Sequence, residues 1–315
     1  MSITWTYDAP SGVYKSHALS RAIFEAAIEE VQFASYAEPV RGFGRKRGES
    51  ITLPRVGRLA EPANAKLQEG TRIPEDALAL STVTITVNEY GRAVPFTSLL
   101  EDLSEINIEN QVQRLLKEQQ RLVMDTAAAA AFKTAKVCYI PTSVSAGTFD
   151  TDGTPSTTAT ANWNVFHVEE IADYLYDTLL APPYEGDDYI AIVRTLGLRG
   201  IKRDPAWEQW HLYTNPEAKA AGEVGRIERM RFIQTNHNNA LGKVGTGSVL
   251  GEGVVFGRDA VAFAEAVTPE LRMQLNANND FGRSRAIAWY GVMEWGLIFD
   301  TSNAGEARVV RVTSA

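Results

Sequence analysis

The chain has 315 residues, 44% apolar and 22% charged, a composition that excludes wholesale disorder and a length that buries a large core. Its 31 basic and 39 acidic residues leave a net charge of −8, unlike the basic face and high pI of a dedicated nucleic-acid binder. The single cysteine, Cys138, excludes an intrachain disulfide and a cysteine-based zinc site. No apolar run reaches the roughly 20 residues that span a membrane, and Met1–Pro10 lacks the basic and apolar regions of a signal peptide.

Ser16 is an N-cap for a helix running toward Ala37, with Leu19, Ile23, Ala27, Val31 and Ala34 on one stripe. Glu38-Pro39 ends it, because the residue before proline is pushed out of the α region. A basic, glycine-punctuated segment follows, with Arg41, Arg45, Lys46 and Arg47 around Phe43. It either touches a polyanion, pairs with acids on a neighbouring subunit, or is simply solvated.

Residues 50–97 read as a long hairpin. Ile51, Leu53 and Val56 form a short extended run, and residues 57–79 are polar and rich in turn formers. Thr82 to Val87 then alternates threonine with Val83, Ile85 and Val87, a strand with one apolar face that continues past Gly91 and Arg92 to Phe96. An insertion this long between paired strands is functional or mobile more often than not. The expectation is that the hairpin projects from the body and packs Val83, Ile85 and Val87, or their opposite face, on something else.

Residues 105–135 form the strongest helix, with Ile108, Val112, Leu115, Leu116, Leu122 and Val123 as its stripe and an alanine run at 127–131. At about 1.5 Å per residue it spans about 45 Å, a spine rather than a packing layer. Residues 141–162 read as an exposed loop. A helix capped by Asn164 follows and stops at Pro182-Pro183. Strands are expected at 189–193, 230–233, 254–257 and 260–263, helix within Leu196–Trp210, and loop at 236–253. Residues 284–299 and 307–313 supply the last strands. Trp207 and Trp210 share a helix face as core or interface anchors.

Catalytic motifs are scarce. Gly242–Ser248 has the glycines of a phosphate loop but places serine where the lysine belongs. His167-Val168-Glu169 is half of a deaminase signature whose other half needs two cysteines. Glu208–His211 has di-metal spacing in one copy, where two copies and two further glutamates are needed. Asp187-Asp188 reads as a solvated turn, and Arg199, Lys202 and Arg203 as a second basic cluster. His17, His167, His211 and His237 are scattered.

The order of parts, with the stretches "GESITLPRVGRLAE", "LQEGTRIP", "STVTITVNEYGRAVPFTS", "RLVMDTAAAAAF" and "GLRGIKRDPAWEQW", resembles the major capsid protein of tailed bacteriophages. That resemblance implies an α+β, Hong Kong 97-type fold. Residues 1–48 look like its N-terminal arm, 49–97 its E-loop, 98–165 its P-domain with the spine helix, 166–270 its A-domain, and 271–315 the returning P-domain strands. It implies a non-enzymatic structural protein of the virion, assembled in the host cytoplasm. Hexamers and pentamers of the chain would enclose double-stranded DNA without reading its sequence. No cofactor or metal is implied, and a portal, a decoration protein and a separate scaffolding protein are further partners. The candidate interface residues are Arg41, Arg45, Lys46, Arg47, Val83, Ile85, Val87, Arg92, Trp207 and Trp210. An encapsulin-like compartment shares the fold, and a soluble α/β enzyme with its site in the 236–253 loop is the reading from another class.

Overall fold

The structure, a computed structural model, describes residues 29, 31–40, 44, 46, 48–59, 61–62, 65–70, 72–103, 107–157, 159–205, 207, 223–244, 250–275 and 283–312. The first half holds β1 (Glu38–Pro39), β2 (Ser50–Val56), β3 (Leu80–Thr86), β4 (Asn88–Thr97), α1 (Ser98–Leu103), α2 (Ile108–Lys133), β5 (Val137–Ser143), β6 (Ala146–Asp150) and α3 (Val165–Asp173). The second holds β7 (Tyr189–Arg194), α4 (Thr195–Lys202), β8 (Glu223–Ile227), β9 (Met230–Thr235), β10 (Lys243–Val244), β11 (Leu250–Gly251), β12 (Gly253–Phe256), β13 (Val261–Leu275), β14 (Ser284–Leu297) and β15 (Val309–Val312). One sheet runs β1-β13-β14-β4 and a larger one β6-β5-β15-β12-β7-β9-β8, while β2–β3 and β10–β11 pair separately.

The α2 helix has 26 residues and is about 39 Å long. The Asn107 side chain caps it by accepting the Asn110 N–H at 3.0 Å. Its first half packs Val112 and Leu116 on Phe96, Ile287 and Trp289. Its second half buries Ala128, Ala129, Ala131 and Phe132 against Phe33, Phe256 and Met293. Leu115 leaves the expected stripe and is 58% exposed, because neighbours on a helix point 100° apart and only one face meets β14.

In β14 the residues Ile287, Trp289, Met293, Trp295 and Leu297 all point inward, with Gly291 completing the row. The alternation is cleaner than the apolar residues alone suggest, since Tyr290 and Val292 take the other face. β13 is far longer than the expected 260–263 strand and pairs with β14 antiparallel, with register shifts between Glu265 and Glu270. Pro269 sits there, and a proline cannot donate to a ladder. Gly291 accommodates it: a Cβ would lie 3.2 Å from Pro269 and 2.6 Å from the Met293 methyl.

The expected long strand from Thr82 to Phe96 changes partners at Val87. β3 pairs with β2 from Leu80↔Val56 to Thr86↔Ser50, whereas β4 pairs with β14 from Asn88↔Met293 to Thr97↔Ser284. One extended run thus ties a projecting ribbon to the body.

Other expectations need correction. In the described part, the N-terminal helix is a single 3₁₀ turn at Phe33–Tyr36, and Ala37 is extended; Ser16 to Ala27 lie outside the described residues. The 141–162 loop opens with the β5–β6 hairpin. Within 236–253, β10 pairs with β11. Helix within Leu196–Trp210 is chiefly α4, eight residues long. Asp188 is no solvated turn: it is 2% exposed, paired with Arg226 at 2.7 Å and Arg231 at 2.9 Å. Two cations supplied by β8 and β9 make that burial tolerable.

Two polar networks lie inside the fold. Asp125, wholly buried in α2, accepts the Gln32 and Ala34 N–H groups at 2.9 and 3.3 Å and holds His237 Nδ1 at 2.9 Å. It joins the segment around Phe33, α2 and the loop after β9 through one carboxylate. Tyr139 in β5 lies 2.7 Å from His167 Nδ1 and donates to Glu170. Burial lowers the His167 pKa from 6.5 to about 4 and, before the hydrogen bond to Glu170, raises that of Tyr139.

Replacing Asp125 with alanine strands three donors and is expected to cost about 3 kcal/mol, read from urea denaturation. For His167 the fold favours the neutral ring. Its contribution is complete above pH 6.5 and is lost as the pH falls from 6.5 toward 4. The Tm of the wild type should therefore fall across that window, and that of His167→Gln should fall less steeply.

Candidate subunit interface

Among the described residues, the histidines form no catalytic constellation. His167 and His237 are both buried in the networks above, and His17, His211 and Glu208 lie outside the described residues. Among the described residues, no group of three or more His, Cys, Asp or Glu is placed to hold a metal ion. The Gly242–Ser248 segment is described only as far as Val244.

The ribbon shows where the chain is incomplete. Val83, Ile85 and Val87 do share a face, but that face turns to this chain's own body. Ile85 is 4% exposed and packs on Ala262 and Ala264 of β13. A Cβ at Gly296 would lie 2.8 Å from Ile85 Cγ1, so that glycine lets the strand dock. The outward face is threonine, with the Thr52 and Thr84 hydroxyls 3.2 Å apart across the strands. Arg55, itself 9% exposed, pins the base: Nη1 donates to the Ile298 carbonyl at 3.3 Å and to the Asp300 carboxylate. That guanidinium holds the Asp300 carboxyl below its ordinary range. Beside the base an open cleft of about 280 Å³, lined by Val83, Ile85, Lys136, Trp295 and Asp300 among others, separates β3 from the body.

Beyond Arg55 the ribbon still meets the body where Gly57 lies beside Glu306 and Arg58 beside Gly305, but its large apolar side chains are not covered. Val56, Leu59, Leu67, Ile73, Leu78 and Leu80 are each more than half exposed. Val56 and Leu80 face each other at the open end of the β2–β3 pair, and the described residues between them form no helix or strand, so Leu59, Leu67, Ile73 and Leu78 have no sheet face of their own to pack on. Further exposed apolar residues follow at Val94, Leu99 and Leu100. β4 is an edge strand, and Pro95 removes one donor from it, a usual guard against indiscriminate pairing.

The other sequence candidates are dispersed. Lys46 is exposed, with a left-handed φ of 68°, while Arg41, Arg45, Arg47 and Trp210 lie outside the described residues. Arg92 is exposed on β4. Trp207 is 6% exposed and meets Phe232 edge-on at 6.1 Å, so its side chain is spent in this chain's own core. Sequence reasoning missed the apolar residues of the 56–80 segment. The available signal was large apolar side chains at irregular spacing inside a polar, turn-rich stretch, where no periodicity lets them build a face.

No family model matches the chain, and no curated protein does. Solved structures do. The capsid of Helicobacter pylori bacteriophage KHP30 superposes with a TM-score of 0.70 at 12% identity, covering 95% of each chain. The cyanophage Pam1 capsid gives 0.68 at 13%, covering 96% of this chain and 98% of the other. The head structure of Helicobacter pylori bacteriophage KHP40 gives 0.67 at 14%, covering 95% and 96%. At such identities the likeness is one of fold, and it runs the length of both chains: this chain has the α+β, Hong Kong 97-type fold found in phage capsids.

Proposed function

We propose that the chain is a major capsid protein whose copies assemble as hexamers and pentamers into an icosahedral shell around double-stranded phage DNA. The observation that carries this reading is the end-to-end likeness to phage capsid structures, in a chain whose projecting segment exposes six large apolar residues. Each such side chain stands to contribute about 2 kcal/mol when a neighbour buries it. Assembly in the host cytoplasm and a place in the virion go with this reading. So does the division into arm (1–48), E-loop (49–97), P-domain (98–165 and 271–315) and A-domain (166–270).

The mechanism is association. Arg55 and the Ile85 contact orient the ribbon, and its unpaired apolar residues seek a second copy. The net charge of −8 suits a container that encloses DNA without adhering to it along its whole wall.

Negative-stain microscopy of the expressed protein should show closed shells, and a monodisperse monomer at high concentration would overturn the reading. Deleting residues 58–79 should abolish shells while the subunit keeps its circular dichroism and a cooperative melt. Arg55→Ala should cost the subunit about 2 kcal/mol and lower shell yield, as measured by sedimentation, because the ribbon loses its fixed angle of departure.

A further inference from the structure

The short helix α4 faces one way only. Leu198 and Ile201 are fully buried, and Gly200 is pressed on Trp163 so closely that a Cβ would lie 2.0 Å from its carbonyl oxygen. The outward side carries Arg199, Lys202 and Arg203, all exposed. They stand at i, i+3 and i+4, where like charges destabilise a helix. A helix C-terminus welcomes one cation, but not three that repel each other. Among the described residues none of the three makes an ion pair, whereas Arg55, Arg226, Arg231 and Arg308 each have a carboxylate partner.

A complementary cluster lies alongside. The end of α4 is tied to the start of α3 by Asp204, whose Oδ2 accepts the Val165 N–H at 3.3 Å. On α3, Glu169 and Asp173 are exposed, again four apart and alike in charge. Burial, and then repulsion from Glu228, Asp173 and Asp204, raises the Glu169 carboxyl, and no cation opposes that push. The chain therefore carries a basic group on α4 and an acidic group on α3 that do not satisfy each other.

We propose that these are the two halves of one contact between copies: the Arg199–Lys202–Arg203 face of one subunit meets the Glu169–Asp173 face of the next, head to tail. A free polyanion suits only the basic half, whereas head-to-tail neighbours, one on each side, satisfy both halves. Such a contact is heterologous and repeats around a ring when its rotation closes. It orients subunits through charge, since opposed like charges across an interface are strongly disfavoured. The inference rests on the proposed self-assembly and names a surface for it.

The test is a charge swap in the full chain. Arg199→Glu with Arg203→Glu, and separately Glu169→Lys with Asp173→Lys, should each lower the sedimenting shell fraction at least about tenfold. The four substitutions together should restore it to within about threefold. Circular dichroism melts check that every variant is folded. Wild-type shells alongside double variants that assemble normally would overturn the contact and leave the capsid reading intact. So would folded doubles that are not rescued by the quadruple variant. Basic-face variants that assemble fully but lose duplex-DNA retention would reassign that face to the polyanion and overturn the contact as well. A wild type that forms no assembly at any concentration refutes the capsid reading itself.

Discussion

The contact between α2 and β14 is the constraint on which the architecture rests. A helix of 26 residues meets a strand whose inward row runs from Ile287 to Leu297, and the two bury each other along most of their length. The smaller sheet and the segment around Phe33 are attached to this pair. β4 and β13 flank β14 in its sheet. The segment around Phe33 docks through that ring, tilted against Phe132 of α2 with centroids 5.6 Å apart, and through the Asp125 carboxylate. The alanine run matters because side chains that small let Phe33 and Phe256 reach the helix.

Burying Asp125 in the middle of an apolar interface is costly unless its oxygens are occupied. Here each is: one by the arm's backbone, the other by His237. A carboxylate satisfied only when three distant segments converge disfavours arrangements in which any of them is displaced. Asp188 plays the same part at the far edge of the larger sheet, where arginines of β8 and β9 converge on it. These groups fix register more than they add stability.

The ribbon obeys the opposite logic. At its base it is fully specified by Ile85, Arg55 and the partner switch at Val87. Past Val56 the chain has large apolar side chains and no sheet of its own to hold them. A chain complete at its centre and unfinished at its margins leaves apolar surface of the kind that marks an interaction site.

Much of this was legible in the sequence. Threonine–apolar alternation marked β3, the 3.6-residue stripe and alanine run marked α2, and Asn164, expected as a helix cap, accepts the His167 N–H. Local periodicity carries those signals because each element must turn one face inward whatever it packs against. What periodicity does not carry is the identity of the partner. Which face of β3 would meet another subunit was left open, and the apolar one lies on β13; Trp207 was offered as core or interface anchor and is core; Asp188 looked solvated and is buried between two arginines.

Length, composition and pattern by themselves determined a large α+β chain with a spine helix, a projecting hairpin and no local catalytic motif. Only the tertiary structure decided which strand pairs with which, where Asp125 and His237 meet, and which apolar and charged residues remain without partners. Those are properties of pairs far apart in sequence. Strand pairing joins residues 88 to 97 with 284 to 293, and a contact across so many residues leaves no trace in the local period of either strand.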